Sequence, residues 1–313
     1  MPGGARLTLC CMSRANRRRH FSKKHPASIG RSHSPQARAD PAAEWERLRH
    51  VAADQAAALL SAEEPIFAEC AALAATLVHI LPAAERAGVA SADRHEDMLL
   101  RQHVPRLAER GMLTMLVATA SVTSGTVRRA ASAAADRLIG AGAIVPEWAR
   151  GLRDPVTVGE CLAVTSAEGD LLELMCTLGR SGYSQAVQIG VDEVRCGAAL
   201  GVCFGIETRV PSLLRARQQV DAFLGKTSTI SVIDPSEFRR LAQAALDARA
   251  LHDRAMSLGA LHEMAFDATF DDLEPGYGLL AALLRSRLRG FPAPAAAAPP
   301  HRPGEMCPVA VKS

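Results

Sequence analysis

The acidic pair Asp192-Glu193 closes an alternating apolar run, "SQAVQIGVDE", while Glu168 and Asp170 occupy the preceding turn-like piece "AEGD". Carboxylates that converge can share a proton, activate water or hold a hard cation. Asp170, Asp192 and Glu193 are therefore the first residues to consider for a catalytic role. The simpler reading is turn chemistry, in which a strand-end acid is solvated and bonds nearby amides. Val191 ends the inward-facing set, so Asp192 should point to the opposite face and Glu193 should enter the turn toward Gly197. Neither acid has a base or nucleophile at a spacing that would assist it, and turn polarity is the expectation.

Other fragments approach known chemistry and stop short. "GKTS" at 225–228 ends like a phosphate-binding loop, but Val220 stands where the first glycine is required, and a helix precedes it instead of a strand. "HEDML" at 95–99 and "HEMAF" at 262–266 begin like zinc-protease helices, yet Leu99 and Phe266 replace the second histidine one turn on. "GAGAIV" at 140–145 lacks the third glycine of a dinucleotide turn, and "GRSGY" at 179–183 has Tyr183 where a nucleophile elbow needs glycine. The cysteines at 10, 11, 70, 161, 176, 196, 203 and 307 form no C-x-x-C pair. Cys70 and Cys176 fall on apolar faces, where thiols act as small hydrophobes. No metal set and no cofactor is expected from these spacings.

A different chemistry is carried by charge. Residues 1–42 hold nine Lys/Arg and one acid, whereas the remainder is mildly acidic, with 27 bases and 32 acids. Arg14, Arg17, Arg18, Arg19, Lys23 and Lys24 crowd one short stretch with Phe21 among them. Such a segment can gain affinity for nucleic acid or another polyanion by counterion release, without a fold. A solvated, solubilising extension is the alternative. No secretory signal or membrane span is read here, and with no cysteine framework the expected setting is cytoplasmic.

The elements that would position these residues follow from periodicity. Residues 1–39 are expected to be a disordered basic tail. Residues 40–150 read as helical: the segment from Asp40-Pro41; the face Ile66, Cys70, Leu73, Leu77 and Ile80, stopped by Pro82; a helix over about 92–104 broken at Pro105; and the segments "GMLTMLVATASV" and "TVRRAASAAADRLIG". Within 151–290 the period falls to 2. "ECLAVTS", "LLELMCTL", "SQAVQIGVD" and "ALGVCFGI" predict a four-stranded antiparallel meander, because their connections are too short for crossovers. Leu172, Leu174, Cys176 and Leu178 should face inward, with Glu173 and Thr177 outward, and Leu200, Val202, Phe204 and Ile206 should face inward on the last strand. Asp234, Pro235 and Glu237 predict a capped covering helix. A final helix over about 277–289 gathers Arg285, Arg287 and Arg289 at its negative end. Residues 291–313, with six prolines, are expected to be a disordered tail. The fold class is α+β.

The segments "VRRAASAAADRLIGAGAIVPEWARGL", the meander, "VIDPSEFRRLAQAALDA" and "LLAALLRSRLRGFP", in that order over about residues 95–292, resemble a group of uncharacterised proteins from high-GC actinobacteria. The resemblance implies architecture and no activity. Function is therefore read as non-enzymatic binding, of a polyanion through the N-terminal segment or of a protein partner, with an enzyme using the turn acids as the alternative.

Overall fold

Where the apolar spacing changes from helical to alternating, the backbone changes with it. The computed structural model describes residues 60, 64–87, 99–180, 183–194, 196–206, 210–223, 225–255, 275–297 and 301. The basic N-terminal segment, His95 and His262 lie outside them. The helical half contains α1 (Pro65–Ala87), a π-turn (Leu99–His103), α2 (Val104–Glu109), α3 (Leu113–Val122), α4 (Gly125–Gly140) and the short α5 (Glu147–Arg150), which leads into a 3₁₀ turn (Gly151–Arg153). α1 runs through Pro82 and does not stop there. A proline forfeits one amide bond and strains the preceding turn, which bends a helix without having to end it. Ala68, Cys70, Ala71 and Ala72 of α1 pack with Leu116 and Ala118 of α3, and small side chains let the two axes approach closely.

The sheet contains β1 (Thr157–Thr165), β2 (Leu171–Arg180), β3 (Tyr183–Asp192), β4 (Ala198–Ile206) and β5 (Thr229–Val232), all antiparallel in the order β4-β3-β2-β1-β5. The expected meander is present, with a fifth strand added against β1. Every residue of β5 is exposed, so no alternation of buried side chains marks it in the sequence. Two bulges adjust the register. Gly159 and Glu160 together oppose Thr177, and Leu200 is the extra residue between Gly201 and Ala199. The second bulge turns Leu200 outward to 55% exposure, contrary to its expected inward position, and places Ala199 in the core instead.

Both faces of the sheet are covered. On one side Leu174, Cys176, Leu178, Val187, Ile189 and Val202 meet α7 (Pro235–Ala255) through Phe238, Ala242 and Leu246, and α8 (Tyr277–Leu288) through Leu284 and Leu288. On the other, Leu162, Met175 and Ala186 lie under α6 (Val210–Phe223) through Val210, Leu213 and Leu214. Glu173, expected to face solvent, is 2% exposed on this second side. Its alternation was read correctly, but the opposite face carries a helix instead of water. α8 is shared, since Leu283 enters the helical core while Leu284 and Leu288 enter the sheet core.

α7 begins as its cap residues require. Asp234 Oδ1 accepts from the Ser236 amide at 2.8 Å, and Phe238 N donates to Asp234 O at 2.9 Å. Glu237 does not complete a capping box, because Arg240 holds it in a fork at 2.6 and 2.7 Å. Beyond α8, Phe291 is buried and stacks on Phe238 with ring centroids 5.5 Å apart, and its carbonyl accepts from Arg239 at 2.9 Å. The first part of the expected C-terminal tail is thus folded against α7. No described helix is long and apolar enough to cross a membrane.

Candidate metal centre

The turn between β3 and β4 was singled out for its acids, and its cysteine proves to be the more informative residue. Gly197 N donates to Asp192 O at 2.8 Å, closing a loop in which Cys196 has φ 108° and Gly197 φ 70°. Cys196 is the one non-glycine residue at positive φ among the described residues. A side chain in that region is strained by order 1–3 kcal/mol and persists where the surrounding structure fixes it. The conformation aims the thiol at α7, where His252 lies in the last turn and is buried. His301, beyond α8, lies at the same place.

Three ligand atoms converge there. Cys196 Sγ stands 3.2 Å from His252 Nε2, and His252 Nε2 stands 3.2 Å from His301 Nε2. All three atoms lie within 4.8 Å of one another. The imidazole planes cross at 69°, with centroids 5.2 Å apart, so the two nitrogens meet without ring stacking. As hydrogen bonds alone, the trio would make His252 Nε2 serve two partners with a single lone pair or proton. One ring nitrogen is either a donor or an acceptor, yet His252 Nε2 faces two partners at the same separation. Around a shared cation the arrangement is natural. A tetrahedral zinc ion with Zn–S of about 2.3 Å and Zn–N of about 2.05 Å places S and N about 3.6 Å apart, and two nitrogens about 3.4 Å apart. The two spacings to His252 Nε2 lie within a few tenths of an ångström of those edges, and the third, from Cys196 Sγ to His301 Nε2, is no longer than 4.8 Å.

The surroundings favour the neutral imidazole that a metal requires. Burial, then the neighbouring His301 and Arg249, hold the pKa of His252 below its ordinary value, with Asp253 opposing. Arg249 also anchors α7 beside the site. Its Nε donates to Asp253 Oδ1 at 2.7 Å, its Nη1 donates to Ala199 O at 3.1 Å, and its guanidinium lies 4.6 Å from the Tyr277 ring centroid. The carboxylate of Asp253 offsets the cation that would otherwise oppose a metal ion.

The acids proposed from sequence are gathered differently. The β2–β3 pairing places Leu171 opposite Asp192, and Glu193 N donates to Asp170 O at 3.1 Å, so all three acids share one end of the sheet. Asp170 is committed to its turn. Its carboxylate accepts from Ser166 Oγ at 2.5 Å, while Ser166 Oγ accepts from the amides of Asp170 and Leu171 at 3.1 Å. The Ser166 hydrogen bond, with help from the amide of Asp170 and the charge of Lys226, holds its pKa below the ordinary carboxylate value. Glu193 is exposed and Asp192 half-buried. Lys226 of the "GKTS" loop pairs with Glu168 at 2.6 Å, and Ser228 N donates to Asp221 Oδ2 at 3.2 Å, so this loop is tied to its neighbours.

Cys196, His252 and His301 were missed as a set because no local spacing joins them. They are separated by 56 and 49 residues. The available signals were a glycine-following turn at Cys196-Gly197 and a histidine among the apolar positions of α7, and each alone is ordinary. Compared with known proteins, the chain matches no family model, no curated protein and no solved structure.

Proposed function

We propose that this protein works by binding, and that its described fold binds a thiophilic transition-metal ion of the zinc class through Cys196 Sγ, His252 Nε2 and His301 Nε2. The convergence of two donors on His252 Nε2 at 3.2 Å carries the reading. Mixed thiolate and imidazole donors select zinc or copper(I) over magnesium or calcium, which prefer oxygen. Three protein ligands leave a fourth position for water or an added donor. The ion would join the β3–β4 turn, α7 and the chain beyond α8, so binding stabilises the fold as well as loading the site. A reducing, cytoplasmic setting suits it, because Cys196 ligates only as a free thiolate.

Titration calorimetry of the untagged, metal-stripped full-length protein with zinc chloride tests the proposal. One equivalent should bind, and Cys196→Ser and His252→Ala should each weaken it at least about tenfold, the smallest loss seen even for outer-shell changes at metal sites. Binding that is absent, or equally strong in both variants, overturns it.

A second binding role rests on the charge division of the chain, +8 over residues 1–42 against −5 over the rest. Contact of Arg14, Arg17, Arg18, Arg19, Lys23 and Lys24 with RNA or another polyanion would weaken steeply with salt. Retention of salt-sensitive RNA binding after deletion of residues 1–39 would rule it out.

A further inference from the structure

A second feature, independent of the thiolate–imidazole centre, lies in the helical half. A cavity of about 100 Å³ opens between α3, α4 and the 3₁₀ turn. Leu152, Val117 and Ala135 form a buried apolar floor, Ser121 and Ser132 supply hydroxyls, and Arg128 and Arg153 stand at the exposed mouth.

The charges around this cavity do not balance. Arg153 is paired with Asp136 at 2.5 Å, but that acid is itself 57% exposed. Arg128 has no carboxylate partner among the described residues. Beside it, Arg289 donates to the Val122 carbonyl at 2.5 Å, and that bond neutralises nothing. Behind the floor, Ser121 Oγ lies 2.8 Å from Glu69 Oε1, and Glu69 is the one carboxylate set against two arginines, Arg180 and Arg287. The Nε atoms of both Arg180 and Arg287 are buried without a hydrogen-bond partner. Two guanidiniums, those of Arg128 and Arg153, thus line the cavity itself, with Asp136 as the one carboxylate paired there among the described residues. Partial burial of the Arg289 guanidinium, then the like charges of Arg128 and Arg287, hold its pKa below the ordinary arginine value, although the side chain as a whole is exposed.

We infer that this cavity binds a small tetrahedral oxyanion of the phosphate class, with Arg128 and Arg153 as its charge partners and Ser132 as a hydroxyl donor. Size supports an inorganic ion over an organic ligand. The cavity has room for several waters, which a tetrahedral oxyanion could replace, and falls well short of the ~300 Å³ at which sites for drug-sized molecules begin. Chemistry supports an oxyanion, because two guanidiniums and a hydroxyl line the cavity and arginine forks match the geometry of such an ion.

The test is titration of sodium phosphate into the metal-stripped full-length protein at low ionic strength, followed by calorimetry. Stripping removes any contribution from Cys196, His252 and His301. The expected result is one saturable site, weakened at least about tenfold by Arg128→Ala, since a hydrogen bond to a charged group contributes about 1.5–3 kcal/mol. Arg129→Ala removes a neighbouring exposed arginine that bonds Thr126 among the described residues, and should leave the affinity within about twofold. Absence of saturable binding at about 10 mM phosphate overturns the inference. So does equal weakening by the two substitutions, which would reveal general charge attraction. Binding unchanged in Arg128→Ala also overturns it, because the anion would then sit elsewhere, on the basic N-terminal segment for example.

Discussion

Glu69→Ala will strand two guanidiniums in the interior. Glu69 is fully buried in α1. It is held by Arg287 of α8, by Arg180 at the end of β2 at 2.9 Å and by Ser121 of α3 at 2.8 Å, with the two arginine side chains 2% and 5% exposed. One carboxylate thereby ties the helical half to the sheet and to the last helix. Burial alone would raise its pKa, but the charges of Arg287 and Arg180 and the hydrogen bonds of Arg287 and Ser121 outweigh burial and hold it below 4.5. Removing one member of a buried ion pair costs about 3–5 kcal/mol, because the other charge is left without compensation. That is a third or more of the stability of many domains. At roughly 2–4 °C per kcal/mol it corresponds to a fall in Tm of about 6–20 °C, read by calorimetry of the full chain. Because the folded pKa is depressed, the wild-type contribution is complete above the unfolded value near 4.5 and is lost as pH falls through the folded value. The difference between wild type and variant must shrink in acid. The double variant Glu69→Ala/Arg287→Met, which removes one of the two stranded charges, should recover part of the loss. A cost below about 1 kcal/mol, or strict additivity in the double variant, would refute the reasoning.

Glu173 presents the opposite case. Burial raises its pKa above 4.5, with Asp221 adding and Arg217 at 3.6 Å opposing, and its Oε1 lacks a hydrogen bond. Glu173→Gln should stabilise the protein by about 1 kcal/mol at neutral pH, and the gain should shrink as pH falls from the folded value and be gone below 4.5, where the carboxyl is protonated in both states; a loss at neutral pH would contradict this. Gly159 sits at the β1 bulge, where a Cβ would meet Thr177 Oγ1 at 2.2 Å. Gly159→Ala should cost about 1–3 kcal/mol in chemical denaturation, as overpacking does, and a neutral result would place Thr177 differently. Zinc affinity should fall as pH drops, as protons compete for the thiolate and the imidazoles, and binding should release protons, measured as a dependence of heat on buffer. His252 titrates below 6.5 in the fold, so the apo protein also loses stability as pH falls through that window and regains it above.

Much of the architecture was legible because it follows from burial on one face. Asp234-Pro235 announced α7, the alternation of Leu172, Leu174, Cys176 and Leu178 announced β2, and the short turns required antiparallel pairing. The errors share a cause, which is that partners distant in the chain decide what an exposed face meets. Glu173 was placed outward because its own strand cannot show that α6 covers it. Arg287 was read as a helix-end cation, yet it turns inward because Glu69, 218 residues earlier, is buried opposite. Leu200 obeyed alternation until a bulge moved it out. The candidate site was the least legible part. The turn "DEVRCG" drew attention to Asp192 and Glu193, whereas its tertiary setting makes Cys196 the residue that meets two histidines from elsewhere.

The most direct measurement is the absorption spectrum of the full-length protein loaded with one equivalent of cobalt(II), a stand-in for zinc whose bands report donors and geometry. Ligation by Cys196, His252 and His301 should give intense visible bands of tetrahedral cobalt together with a near-ultraviolet thiolate-to-cobalt charge-transfer band that disappears in Cys196→Ser. A weak octahedral spectrum, or a charge-transfer band that survives the loss of Cys196, would contradict it.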